Sequence, residues 1–194
     1  MDVNQLIPPS QFVTDKFPVM TYGSTPSINL ETWRLQFFGM VEREIEFDWR
    51  EFISFPTTTI SGGLHCVTQW SRLKNLWGGV LFSEVLKRIR PLPFATFVKV
   101  VCYGGYTTNV TLNDLKDSET ILAFCHDNNQ LSFEHGWPLR LVIPHLYAYK
   151  SAKWIHAFEF SDVEYKGFWE LQGYHSRGDP WKEQRYSGEK PEFG

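Results

Sequence analysis

Cys66 has the widest chemical reach of any residue in this sequence. It lies inside Ser61-Gly62-Gly63-Leu64-His65-Cys66-Val67-Thr68-Gln69-Trp70-Ser71-Arg72. A thiolate is both a nucleophile and a soft metal ligand. A nucleophile needs a base and a group to orient that base. His65 is adjacent, but neighbouring strand side chains point to opposite faces, so it is a poor base for Cys66. A metal needs further donors, and no second cysteine or histidine stands at zinc-like spacing. A lone thiolate therefore fits a cofactor that brings its own donors. Taken alone, the plain alternative is stronger, since most single cysteines are small core residues. The same alternative is preferred for Cys102 and Cys125.

Two other stretches carry chemistry. In His135-Gly136-Trp137-Pro138-Leu139-Arg140 followed by Lys150-Ser151-Ala152-Lys153-Trp154, one guanidinium and two ammonium groups surround small residues. Such a set suits a phosphate group. Scattered charges on a solvated strand edge are the alternative, slightly favoured on spacing alone. In Tyr103-Gly104-Gly105-Tyr106-Thr107-Thr108-Asn109, the glycines permit close backbone approach and Tyr106 can present its hydroxyl to a pocket. The plain alternative is a glycine hairpin or bulge with a packed tyrosine. No Walker loop, GxGxxG, HExxH or GxSxG is present.

The 194 residues that must position them suit one domain with a substantial core, or at most two small lobes; a single domain is the expectation. A net charge of -3 argues against a phosphate-dominated nucleic-acid surface. Aromatics at 16% are high, as expected of large core rings or a ring-lined pocket. Three cysteines without a CxxC pair suggest neither a disulfide framework nor a zinc ribbon. No apolar run is long enough for a membrane span. Met1 to Gln5 lacks a basic or apolar region, so no secretory signal is expected and cytoplasmic residence is the default.

The pattern predicts a β-rich α+β domain. An irregular, proline-rich arm over residues 1–30 should lie against the body, with a turn at Tyr22-Gly23-Ser24. Strands are predicted at Trp33–Phe37, Glu44–Phe47, Thr57–Ile60, Thr96–Tyr103, Ile121–Cys125, Leu139–Ile143 and Lys153–Val163. The last should place Trp154, His156, Phe158 and Phe160 on one face. Asp48, Ser83 and Thr111 are candidate N-caps of short helices. Residues 165–194 should form an irregular tail, ordered at first and then fraying.

Read together, these stretches resemble the sulfite-oxidase-like molybdopterin oxidoreductases. The resemblance rests on His65 to Ser71, Trp77-Gly78-Gly79-Val80, Gly105 to Asn109, His135 to Pro144, Lys150 to Trp154 and Gly167-Phe168-Trp169-Glu170, in family order. It is similar above all to the short single-domain prokaryotic branch, which includes relatives of a methionine-sulfoxide reductase catalytic subunit. The resemblance implies the sulfite-oxidase-type molybdopterin-binding fold. It implies a molybdenum cofactor held through one pterin dithiolene, oxo groups and the Cys66 thiolate. By position it implies pterin or phosphate contacts at Thr21, Tyr22, His135, Arg140, Ser151, Ala152 and Lys153, and an active-site role for Tyr106.

The sequence departs from the pattern just after the cysteine. Sulfite oxidases carry arginines there, and the sulfoxide-reductase relatives carry an acidic residue where this chain has Thr68. Haem and dimerisation domains are absent, which implies a monomer and a separate electron-transfer partner such as a cytochrome. The expected activity is oxygen-atom transfer coupled to electron transfer, on sulfite or a sulfoxide-like substrate. Arg72 is a candidate for attracting an anionic substrate, and Trp70 and Trp77 are candidates for pocket walls. The competing readings are a non-catalytic molybdopterin carrier and a metal-free cysteine nucleophile.

Overall fold

The computed structural model describes residues 7–188. The readings for Met1–Gln5 and for the tail beyond residue 188 lie outside the described residues. The chain runs β1 (Phe12–Val13), β2 (Arg34–Gly39), β3 (Ile45–Asp48), α1 (Trp49–Ile53), β4 (Thr58–Ser61), β5 (Leu64–His65), β6 (Trp70–Arg72) and β7 (Leu76–Leu81). It continues through α2 (Phe82–Ile89), β8 (Phe97–Cys102), β9 (Thr107–Thr111), α3 (Leu112–Leu115), β10 (Ile121–His126), β11 (Asn129–Gln130) and β12 (Arg140–Val142). It ends with β13 (Ile155–Ser161) and α4 (Phe168–Leu171), with single 3-10 turns between several elements. Among the described residues no helix is long and apolar enough to cross a membrane.

Three sheets result. One has the order β3-β2-β13-β8-β9, a second β11-β10-β7-β4 with β12 also on β10, and a third β1-β6-β5. The five-stranded β3 to β9 sheet supports the larger core. Leu35 and Phe37 of β2 point inward beside Phe158 and Phe160 of β13, and all four are at most 1% exposed. Helix α2 covers this core with Phe82, Val85 and Ile89, spaced to fall on one helical face. A second apolar cluster joins the β1-β6-β5 sheet to β7, β10 and β12 and contains Cys66, Trp70, Trp77, Tyr147 and Tyr174. The cysteine stretch therefore lies at a seam between sheets.

Two predicted caps form. Asp48 accepts from the Glu51 amide while Glu51 reaches back to the Asp48 amide, a complete capping box. Thr111 accepts from the Asp114 amide at 3.1 Å. The Ser83 cap does not form. The helix starts one residue earlier, at Phe82, so Ser83 lies inside its first turn and the cap position falls to Leu81, which has no side-chain acceptor; the Phe82 amide donates to Thr120 O at 2.9 Å. The single-face expectation for β13 also fails. The pairing with β8 shifts between Ile155 and Ala157, a bulge that leaves His156 half-buried against Tyr103.

The Gly78-Gly79 pair sits inside strand β7, between β4 and β10. A Cβ on Gly79 would meet Leu122 O at 2.1 Å. The residue is glycine because two backbones approach closely there. Residues 165–188 dock on the body: Glu170 is 1% exposed, and Tyr147 N donates to Gly178 O at 2.8 Å.

Candidate functional site

Cys66 follows β5 and opens a tight hairpin into β6. Its amide donates to Trp70 O at 2.8 Å, and the Gln69 amide donates back to Cys66 O at 3.0 Å. Gln69 takes φ 75°, the left-handed residue that closes a three-residue hairpin loop. Both ends of the described chain clamp this loop. Gln11 Nε2 donates to Cys66 O at 3.0 Å, and Arg185 Nη1 donates to Val67 O at 2.7 Å. The Thr68 hydroxyl donates to Cys66 Sγ at 3.0 Å. Burial pushes the thiol up, while the Thr68 hydrogen bond and the Arg185 charge oppose that shift.

The sulfur lies at the wall of a cavity of about 260 Å³. The nine residues that the resemblance implies for the site all line it: Thr21, Tyr22, Cys66, Tyr106, His135, Arg140, Ser151, Ala152 and Lys153. The arm supplies Phe17, Pro18, Met20, Thr21 and Tyr22. Phe17 stacks on His135 with ring centroids 3.8 Å apart and planes 9° apart. Tyr22 leans on Phe168 at 4.1 Å.

One end of the cavity is cationic by strand register. Arg140 begins β12 and faces Lys153 across an antiparallel bridge. Arg140 is 3% exposed and donates to His135 O at 3.0 Å and Ser151 O at 3.2 Å. Lys153 donates to Glu134 O at 2.7 Å. Gly136 packs over both; a Cβ there would meet Arg140 Cβ at 3.0 Å and Lys153 Cβ at 3.2 Å. Burial lowers Arg140 to about 10, and burial with the Arg140 charge lowers Lys153 to about 7. Burial and the two cations lower His135 to about 4, so its ring is neutral at pH 7.

Tyr106 sits on the opposite connection, before β9, and donates to Tyr149 O at 2.5 Å. Burial holds its hydroxyl well above the usual phenol range. Trp70 lines the cavity as expected, whereas Trp77 lies outside the lining, fully buried beneath Arg140 with its ring 5.1 Å from the guanidinium.

Two cations named from the sequence do different work. Lys150 is fully buried and donates to Glu170 Oε1 and to Asn109 O, so it is not available to a phosphate. Arg72 pairs with Asp127 at 2.7 Å and contacts Asn75 and His126, and it does not line the cavity. It is a structural tie rather than a lure for substrate. Sequence reasoning missed Phe17, Tyr149, Trp169 and Tyr174 as cavity walls. The high aromatic content was the available signal, but it named no positions.

The residues present fit a cofactor that carries both metal donors and an anion. Arg140 Nε is buried without a hydrogen-bond partner. Among the described residues, neither Arg140 nor Lys153 has a carboxylate within ion-pair distance. Like charges directly opposite across strands repel, and a bound anion removes that repulsion. Among the described residues no group of three His, Cys, Asp or Glu side chains could hold a metal. A metal at Cys66 would thus take its other donors from the group that carries it.

Comparison with known proteins agrees with this geometry. A family model described as the oxidoreductase molybdopterin binding domain matches residues 22–169. The chain is 39% identical over 187 residues to the uncharacterized oxidoreductase YuiH of Bacillus subtilis, covering 96% of this chain and 94% of that protein. It is 28% identical to the putative protein-methionine-sulfoxide reductase subunit YedZ1 of Azospira oryzae, over 89% of this chain and 68% of that one. The fold matches the sulfane dehydrogenase SoxCD of Paracoccus pantotrophus with a TM-score of 0.66 at 21% identity, over 72% of this chain and 41% of that chain. A cysteine at a sheet seam, a paired cationic cradle and the whole-length relative lead to one assignment: the chain belongs to the molybdopterin-binding oxidoreductase family.

Proposed function

We propose that this protein is a molybdenum-pterin enzyme that removes an oxygen atom from a small neutral oxide, with a sulfoxide as the substrate class. The observation that carries the reading is one cavity lined by both Cys66 and the Arg140–Lys153 cradle, which has no carboxylate partner among the described residues. In this reading Cys66 ligates molybdenum. Arg140 and Lys153, with the Ser151-Ala152 backbone, hold the pterin phosphate. Neutral His135 and the arm residues Thr21 and Tyr22 flank the pterin. When bound, the cofactor supplies the oxygen-transfer and electron chemistry.

The side chains favour a neutral substrate over sulfite. The cavity wall shared with Cys66 includes Leu64, Val67, Thr68, Trp70, Tyr149 and Tyr174, none of them cationic. Arg185 is turned to the carbonyls of Val67 and Pro9, and Arg72 to Asp127. An oxyanion buried here would lack a charged partner, which costs several kcal/mol, on the order of a thousandfold in binding. A sulfoxide needs two electrons and two protons to give a thioether and water. Tyr106 keeps its proton and points it at Tyr149 O, so it orients a substrate oxygen only after releasing that carbonyl. A relative named as a subunit supports electron delivery by a separate partner, such as a cytochrome.

The test uses protein made in a host that synthesises the cofactor, a reduced viologen dye and a panel of oxides. Dye oxidation should depend on an aryl methyl sulfoxide, should fail with nitrate, and should disappear in Cys66→Ser. Sulfite should not support reduction of an acceptor dye. Turnover of sulfite alone would overturn the substrate class, and full activity in Cys66→Ser would overturn the metal-ligand role.

A further inference from the structure

We propose that Thr68 is a positioning residue that aims the Cys66 sulfur and weakens it as an electron donor to the metal, through the hydroxyl hydrogen bond at 3.0 Å. The inference rests on the reading of Cys66 as the metal ligand. Its basis is how little freedom the rest of the hairpin leaves. The Cys66 amide is held by Trp70 O, its carbonyl by Gln69 N and Gln11 Nε2, and the next carbonyl by Arg185. With the backbone pinned, the sulfur can move only by rotation about one side-chain bond, among three staggered wells. The Val67 and Thr68 amides also face the sulfur, and the Thr68 hydroxyl adds the one side-chain hydrogen bond that favours the observed well.

Thr68 suits this role. It occupies the third position of the turn Cys66–Gln69, so the chain folds its side chain back over the residue two places earlier. Its branched side chain is stiff, which makes the direction of the hydroxyl well defined. The residue is exposed and lines the cavity, so no burial requirement forces its hydroxyl onto a protein partner. Donation to a ligating sulfur withdraws electron density from it. Hydrogen bonds around a ligand sulfur are a general means of tuning a metal centre. A metal bound through a weaker sulfur donor is more easily reduced, as an enzyme that takes electrons and passes them to an oxide requires.

The experiment compares wild type, Thr68→Val and Thr68→Ser as molybdenum-loaded protein, with metal content measured in each. The readouts are the energy of the sulfur-to-metal charge-transfer absorption and the metal potential in a redox titration. Thr68→Val keeps the shape and removes the donor. It should move the band to lower energy and the potential downward at unchanged metal content. Thr68→Ser should return both toward the wild-type values, which a merely steric role would not produce. A band and potential in Thr68→Val that coincide with wild type would overturn the proposal while leaving ligation by Cys66 intact. A loaded wild-type protein with no band that is lost in Cys66→Ser would overturn the ligation reading, and the Thr68 role with it.

Discussion

Replacing Arg140 by methionine should separate cofactor binding from folding stability. Burial lowers this arginine from the ordinary guanidinium range, more than two units higher, to about 10. At about 1.4 kcal/mol per unit, keeping the charge in the cofactor-free protein costs about 3 kcal/mol at neutral pH. The folded value lies below the unfolded one, so this cost is complete below about pH 10 and fades as pH rises above it. Methionine removes the cost but also removes the hydrogen bonds to His135 O and Ser151 O. Those contribute about 1.5 kcal/mol each. The two effects nearly cancel, so the cofactor-free variant should unfold in urea within about 1 kcal/mol of wild type. A buried anion deprived of its charged partner behaves differently and loses about 2–5 kcal/mol of binding. That is roughly 30-fold to several thousandfold in affinity. Pterin fluorescence on denaturation and molybdenum per chain should therefore collapse while the urea midpoint holds. Unchanged pterin content would refute the cradle, and a loss of stability above about 3 kcal/mol would refute the picture of Arg140 as an uncompensated charge.

Three further outcomes follow from the same geometry. Lys150→Met leaves Glu170 buried without its cation and should lower stability by about 3–5 kcal/mol, whereas Lys150→Met with Glu170→Leu should recover much of it; thermal melts of the two variants decide this. Lys153 falls to about 7 when folded, so between pH 7 and the ordinary lysine range the unfolded chain binds more protons and cofactor-free stability should rise with pH. Lys153→Met should flatten that slope in urea titrations at pH 7 and 9.5, and an identical slope would contradict the assignment. Gly79→Ala drives a methyl into Leu122 O and should cost about 1–3 kcal/mol, with loss of β7–β10 amide protection in hydrogen exchange; a variant as stable as wild type would mean that the two strands can move apart.

Much of the local structure was legible because its causes are local. Asp48 and Thr111 sit three residues from the amides they cap, and both caps form. Ser83 had the same signature and failed, since the helix starts one residue earlier, where the Phe82 amide meets Thr120 O, far along the chain. The Gly78-Gly79 strand was invisible in the sequence, because glycine there answers to the closeness of another backbone and not to its own conformation.

The sequence by itself determined the kinds of chemistry available: one cysteine in a tight turn, and several cations and aromatics in a recognisable order. Only the tertiary structure decided which of those groups are free to act. Arg72 and Lys150 are as cationic as Arg140, but their carboxylates arrive from 55 and 20 residues away and neutralise them. Arg140 and Lys153 are brought face to face by strand register with no such partner among the described residues. A side chain's charge is set by its type, but whether that charge is spent inside the protein depends on what folds against it.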